Sequence, residues 1–191
     1  MRNIWIWTAM VFGMLCLGGC PRPDTQQLEW PYGAIFEYKE NAIKLEVDAD
    51  RELNRYQGDA NSLHLCMYQL RNPNELNRLS NNEDGLYQLL SVNCGFSDGS
   101  VANATPMTVQ PGEKETYIYN RAEDARYVAF VAGYYALERE RIIRLVRVPV
   151  VLVKKSTGFF SSTQVPKVPN MQVKLKLGPE QITSIDVIPG R

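Results

Sequence analysis

Five residues carry most of this chain's capacity for chemistry: Cys16, Cys20, Cys66, Cys94 and the single histidine, His64. Cysteine thiolates are nucleophiles and metal ligands, and neutral imidazole is both a base and a ligand. With one histidine, a Cys/His/Glu cage has too few soft ligands, and no zinc-type spacing is present, so no metal or cofactor is expected. His64 stands between Leu63 and Leu65 in a strand pattern and reads as a satisfied structural residue. A hydrolase therefore lacks its general base. Glu75, Glu83 and Asp84 fall on helical turns, where carboxylates suit caps and helix dipoles better than paired acid/base work. Gly85, Gly95 and Gly99 match neither the Walker nor the dinucleotide pattern. Arg139, Arg141, Arg144 and Arg147 are interleaved with Glu138 and Glu140, which reads as a solvated strand end. Catalysis has no candidate site, and binding is the default.

Cys20 has a different setting. Leu17-Gly18-Gly19-Cys20 closes the apolar run Ile4 to Leu17, and Arg2 supplies a positive start, which is the layout of a secretory signal. At about 1.5 Å per residue the run reaches only ~21 Å, short of the ~30 Å of bilayer hydrocarbon, so cleavage is the better reading than spanning. The tetrapeptide resembles the bacterial lipobox, whose cysteine is acylated and becomes the first residue of the mature protein. Residues 1–19 are then a signal peptide and Cys20 the lipid attachment site. Two or three acyl chains would hold the protein stably at a membrane. Pro21 follows in place of the Asp that, in enterobacterial lipoproteins, marks inner-membrane retention. By analogy the periplasmic leaflet of the outer membrane is the expected address.

Cys16 would leave with the signal and Cys20 would carry lipid, which leaves Cys66 and Cys94. In an oxidising compartment they form a disulfide or remain two separate buried thiols. A bond between them would enclose roughly 29 residues, for which loop-closure entropy gives ~3.6 kcal/mol at most. The 191 residues carry 21 Lys+Arg against 21 Asp+Glu. That balance leaves no electrostatic footprint for nucleic acid.

The elements that must position these residues read as a β protein. Residues 20–33, with three prolines, form a tether, and 34–191 form one domain. Ile43, Leu45 and Val47 alternate with charged residues as a strand. Asp50 to Ser62 is a polar loop longer than a hairpin needs. Leu63 to Leu70 is a strand apolar on both faces. Asn72-Pro73 with Glu75 opens a short helix through Leu79, the asparagine as cap and the proline first in the helix. Asn82-Glu83-Asp84 opens a second helical turn, and Asn93 to Asn103 is a loop. Met107 to Gln110 and Glu115 to Tyr119 flank Pro111-Gly112 as a hairpin. Tyr127 to Tyr135 belongs mid-sheet, although periodicity alone also allows a buried helix. Ile142 to Val153 is a long edge or bulged strand interrupted by Pro149. Lys154 to Asn170 is a second long loop with Phe159-Phe160 near its tip. Val173 to Leu177 and Ile182 to Ile188 finish the chain. Seven or eight short strands with small helices argue a β-sandwich.

Several of these pieces, in this order, resemble the outer-membrane lipoprotein of type VI secretion systems, the TssJ (SciN, VasD) family. They are the lipobox at Cys20, Val47-Asp48-Ala49, Leu53-Asn54, Tyr68-Gln69-Leu70 leading into Asn74 to Leu79, Val109-Gln110-Pro111-Gly112-Glu113, Ala125-Arg126-Tyr127-Val128, and Val131-Ala132-Gly133-Tyr134. The resemblance implies a transthyretin-like sandwich of two sheets with added helices, anchored at the outer membrane and facing the periplasm. It implies no enzymatic activity. Its partner would be the periplasmic C-terminal domain of the inner-membrane protein TssM, which in turn associates with TssL. The loop between the first two strands contributes to that contact in the family. On this chain that places partner binding at Leu53, Asn54, Arg55 and Tyr56. Tyrosine and arginine are also the types that carry interface energy. The rival reading is a free-standing lipoprotein that holds a small ligand or envelope polysaccharide in an aromatic-lined groove.

Overall fold

The computed structural model describes residues 30–96, 98–156 and 161–190. The expected signal peptide, Cys20 and the Phe159-Phe160 pair lie outside the described residues. The elements run β1 (Lys39–Ala49), β2 (Leu63–Leu70), α1 (Asn74–Leu79), α2 (Glu83–Leu89), β3 (Val101–Val109), β4 (Lys114–Arg121), β5 (Tyr127–Ala132), α3 (Arg139–Ile142), β6 (Ile143–Arg147), β7 (Val151–Ser156), β8 (Ser162–Lys167), β9 (Met171–Leu177) and β10 (Ile182–Pro189). One four-stranded sheet has the order β10-β9-β1-β4 and a second the order β3-β2-β5-β6. β7 and β8 form a separate two-stranded ribbon. β1 and β9 run parallel, and the other pairings are antiparallel.

Alternation along β1 sends Ile43, Leu45 and Val47 into the core beside their register partners Met171, Val173 and Leu175 of β9. Lys44, Glu46 and Asp48 face out. β2 is buried almost throughout because it is covered on both sides. Its odd positions face the first sheet. There the fully buried Gln69 donates to Asn120 O and accepts from Ala122 N, joining the sheets through a satisfied amide. Its even positions face the helices, where the Tyr68 hydroxyl donates to Leu89 O. The result is three layers, sheet, sheet and helices. A strand with two covered faces must read as continuously apolar, and β2 and β5 both do.

Several boundaries differ from expectation, each for a local reason. The described residues form ten strands rather than seven or eight, because the long Ile142–Val153 candidate splits into two and a segment that read as loop pairs with the second. Pro73 occupies the cap position of α1 rather than its first turn, with no side-chain capping bond. Asn82 does cap α2, accepting from Gly85 N. β3 begins at Val101, inside the expected Asn93–Asn103 loop. β3 and β4 are not a hairpin: β3 pairs with β2, and β4 with β1. The Pro111-Gly112 turn hands the chain between sheets, fixed by Gly112 N to Asp50 O and Ala49 N to Glu113 O, both 2.8 Å. Gly112 supplies the positive φ of 75° that this turn needs. Pro149 ends the long strand candidate, so that β6 stays at a sheet edge and β7 departs into the ribbon. The expected Lys154–Asn170 loop is largely the ribbon itself.

The expected tether packs before residue 34. Trp30 stands edge-on to Phe36 and Tyr127, lies under the Arg147 guanidinium at 4.0 Å, and donates from Nε1 to Val148 O at 3.1 Å. Tyr127 opens β5 and Lys39 opens β1. The chain therefore enters at one pole of the sandwich, and the ends of β1 and β5 lie at the other.

Candidate interaction surface

The 50–62 segment is an ordered structure built from its own hydrogen bonds. Asp50 Oδ1 accepts from Glu52 N, and Leu53 N donates to Asp50 O, closing a first turn. Asn54 adopts a left-handed φ of 48°, which asparagine tolerates better than most residues. Its Nδ2 donates to Ser62 O at 3.0 Å, and its Oδ1 accepts from Tyr135 N at 3.1 Å. Asn61 closes the base by donating from its side chain to Asn54 O and Asp59 O. At the tip, Tyr56 and Asp59 exchange backbone hydrogen bonds of 2.9 and 3.0 Å around Gln57-Gly58. Both central residues have positive φ, the pattern of a type I′ turn.

This architecture divides the four expected contact residues into two pairs. Leu53 is fully buried and Asn54 is 7% exposed, so neither offers a surface to a partner. Leu53 is a core plug and Asn54 a strut between the loop and the end of β5. That corrects the expectation for both: an asparagine in a polar loop reads as surface until its backbone partners are known. Arg55 and Tyr56 do reach solvent. Arg55 bridges Glu52 at 3.1 Å and Glu180 at 3.5 Å, while its N–H donates to Pro179 O. Tyr56, 40% exposed, stacks on Tyr135 with ring centroids 3.5 Å apart and planes 6° off parallel.

Tyr135 was not singled out in the sequence. It follows the apolar strand directly, yet Tyr134 and Tyr135 point opposite ways. Tyr134 is buried and donates to Gln181 O, and Tyr135 is 61% exposed. The alternation of that pair was the available signal. Arg141 joins the surface by bridging Glu138 at 2.9 Å and Glu180 at 4.0 Å. Arg55, Tyr56, Tyr135, Arg141 and Glu180 thus form one aromatic and charged platform on three chain segments. A polar cleft of about 580 Å³ adjoins it, with Tyr87, Tyr135, Asn81 and Arg139 among its walls. Arg139 is fixed there by donating to Asn77 Oδ1 and Asn81 Oδ1. The platform pairs no nucleophile with a base. Rigid tyrosines and arginines held by backbone bonds suit them to protein recognition.

On the outer face of β2, Cys66 and Cys94 are joined as a disulfide, with Cα atoms 5.6 Å apart. It clips the loop after α2 onto the strand. His64 Nε2 lies 3.4 Å from Cys66 Sγ and 3.8 Å from Cys94 Sγ. Two sulfurs bonded to each other present no thiolate, so in this state the trio is not a metal site. Among the described residues, no helix is long and apolar enough to cross a membrane.

Comparison with known proteins agrees with the architecture. The structure of the type VI secretion lipoprotein TssJ1 from Pseudomonas aeruginosa superposes with a TM-score of 0.59 at 20% identity, covering 81% of this chain and 98% of that one. Serratia marcescens Lip, a membrane-bound component of the type VI secretion system, gives 0.53 at 18%, covering 78% and 96%. A chain of a structure described as the TssM C-terminal domain from EAEC gives 0.51 at 13%, covering 78% and 98%. No curated protein is significantly similar in sequence. The family described as type VI secretion lipoprotein, VasD, EvfM, TssJ, VC_A0113 matches residues 41–178, from within β1 to just past β9. With most of β1, all of β2 to β9, the helical layer and the β1–β2 loop inside that match, the chain belongs to the TssJ family of type VI secretion lipoproteins.

Proposed function

We propose that this protein is anchored by acyl chains on Cys20 to the periplasmic face of the outer membrane. There it holds the type VI secretion membrane complex by binding the periplasmic C-terminal domain of TssM, and through TssM is linked to TssL. It catalyses nothing. The observation that carries this reading is the stacked Tyr56–Tyr135 pair, exposed on a β1–β2 loop whose base Leu53 and Asn54 lock in place. Family members bind TssM partly through this loop. The similarity to a chain of a structure described as the TssM C-terminal domain supports the same assembly. Arg55, Tyr56 and Tyr135 are the contact residues, and Leu53 and Asn54 are their scaffold.

A binding titration with the purified TssM periplasmic domain tests the platform. Tyr56→Ala and Tyr135→Ala should each weaken Kd by about tenfold or more, the loss of at least ~1.4 kcal/mol typical of an aromatic anchor. Unchanged affinity in both variants rules the platform out. The anchor is tested separately, since Cys20→Ser should move the protein from the outer-membrane fraction to the soluble periplasm. A second reading rests on the polar cleft beside Tyr135, which offers hydroxyl, amide and guanidinium groups to a glycan. Glycan retention that is lost in Tyr87→Ala, with TssM affinity intact in Tyr56→Ala, would favour it.

A further inference from the structure

We propose that His64, Cys66 and Cys94 bind one thiophilic divalent cation of the zinc type when the Cys66–Cys94 bond is reduced, so that a coordinate clasp replaces the covalent one. Their ligand atoms all lie within 4.8 Å of one another. Tetrahedral zinc with Zn–S of about 2.3 Å and Zn–N of about 2.05 Å places sulfur and nitrogen ~3.6 Å apart and the two sulfurs ~3.8 Å apart. The sulfur–nitrogen separations here are 3.4 and 3.8 Å. Only the sulfurs need to part, and losing the bond between them does that.

The positions of the ligands do not depend on the disulfide alone. Cys94 N donates to Ser91 O at 2.8 Å, and Gly95 N donates to Ser91 Oγ at 3.1 Å, so the loop's own turn presents Cys94 to β2. Cys94 has a φ of 49°, set by that turn. Cys66 is held in a central strand, in register with Pro106 of β3 on one side and Val131 of β5 on the other. His64 O accepts from Gly133 N at 2.8 Å, fixing the third ligand's backbone. Charge selects the ion. Two thiolates and a neutral imidazole around a divalent cation sum to zero, which a site with both cysteines fully buried requires. His64 is only half-buried and gives the route of entry.

Reduction by a dithiol breaks the S–S bond. The two electrons and two protons pass to Cys66 and Cys94, and the dithiol becomes its own disulfide. The cation then displaces both thiol protons. The loop after α2 stays fastened to β2 in either redox state.

The test uses the full chain in detergent with Cys16→Ala and Cys20→Ala, which leaves Cys66 and Cys94 as its only cysteines. Phosphine-reduced protein is titrated anaerobically with Co²⁺. The expected result is one Co²⁺ per folded chain, with the visible bands of tetrahedral thiolate coordination, displaced by Zn²⁺ and absent from the oxidised protein. His64→Ala should weaken binding at least about tenfold. Absence of those bands overturns the proposal, as does unchanged affinity in His64→Ala. Loss of the β-sheet circular dichroism signal on reduction also overturns it, because the site exists only in the folded arrangement.

Discussion

At the scale of single residues, Leu53 and Tyr56 stand three positions apart in one loop and act in opposite ways. Leu53→Ala removes a fully buried side chain and should cost about 2–5 kcal/mol of stability, read as a fall in denaturant midpoint. Tyr56→Ala should leave that midpoint nearly unchanged and act only on partner affinity. Sequence types alone could not separate them: Leu53 sits among Glu52, Asn54 and Arg55, so nothing in its neighbourhood announces a core residue. Its neighbours Asn54 and Arg55 hold it in place through bonds to Ser62, Tyr135 and Pro179 that no local pattern encodes. Tyr117 makes a different prediction. Its hydroxyl donates to Glu113 at 2.7 Å, and that bond, with some burial, raises its pKa from 10 to about 12. Because the folded value lies above the unfolded one, the stabilisation is complete below pH 10 and is lost as pH rises through about 12. Between these limits the wild-type midpoint should fall more steeply than that of Tyr117→Phe. Parallel curves would show that the bond contributes nothing.

At the scale of elements, the helical layer depends on one glycine. A Cβ at Gly85 would stand 2.0 Å from Leu79 O, the last carbonyl-bearing residue of α1, and 2.8 Å from Leu79 Cα. The obstruction is backbone, which cannot swing aside, so Gly85→Ala must separate α1 from α2. The expected loss is about 1–3 kcal/mol or more, with protection from hydrogen exchange falling first in α1 and α2. Uniform protection in that variant would mean that the helices are not packed through this contact. The sequence placed both helices within a residue or two, because Asn82 and the leucine spacing are local signals. It also placed β1, β2, β5, β9 and β10, whose alternation or continuous apolarity reflects how many faces are covered. It misplaced what depends on pairing. β3 and β4 flank a Pro-Gly turn like any hairpin, yet their partners are β2 and β1. β7, read only in part as the end of a longer strand, and β8, read as loop for its Ser, Thr and Pro, pair with each other as a ribbon. Turn chemistry specifies a reversal and leaves open which sheet receives the next strand.

At the scale of the whole molecule, the proposed anchor and the proposed contact surface fall at different poles. Trp30 fixes the entering chain beside Tyr127 and Val148, where β5 begins. The Tyr56–Tyr135 platform lies beyond the far ends of β1 and β5. From Tyr127, beside Trp30, to Tyr135 the chain takes eight steps of about 3.3 Å, so at most roughly 26 Å of backbone separates entry from platform. Cys20 lies ten residues before Trp30, a reach of at most about 36 Å. With the proposed lipid on Cys20, the entry pole is the end tethered to the bilayer, and a domain standing off the membrane would turn the platform towards a partner rising from the inner membrane. Spin labels read this orientation directly. In the acylated protein reconstituted into vesicles, a label at Ile35→Cys, on the exposed entry segment, should relax strongly with a lipid-borne paramagnetic reagent. A label at Gln57→Cys, at the tip of the platform loop, should not. Adding the TssM periplasmic domain should then immobilise the label at position 57 and leave that at position 35 unchanged. Equal relaxation at both sites would mean that the domain lies flat on the membrane, and a platform facing lipid could not receive a partner from below.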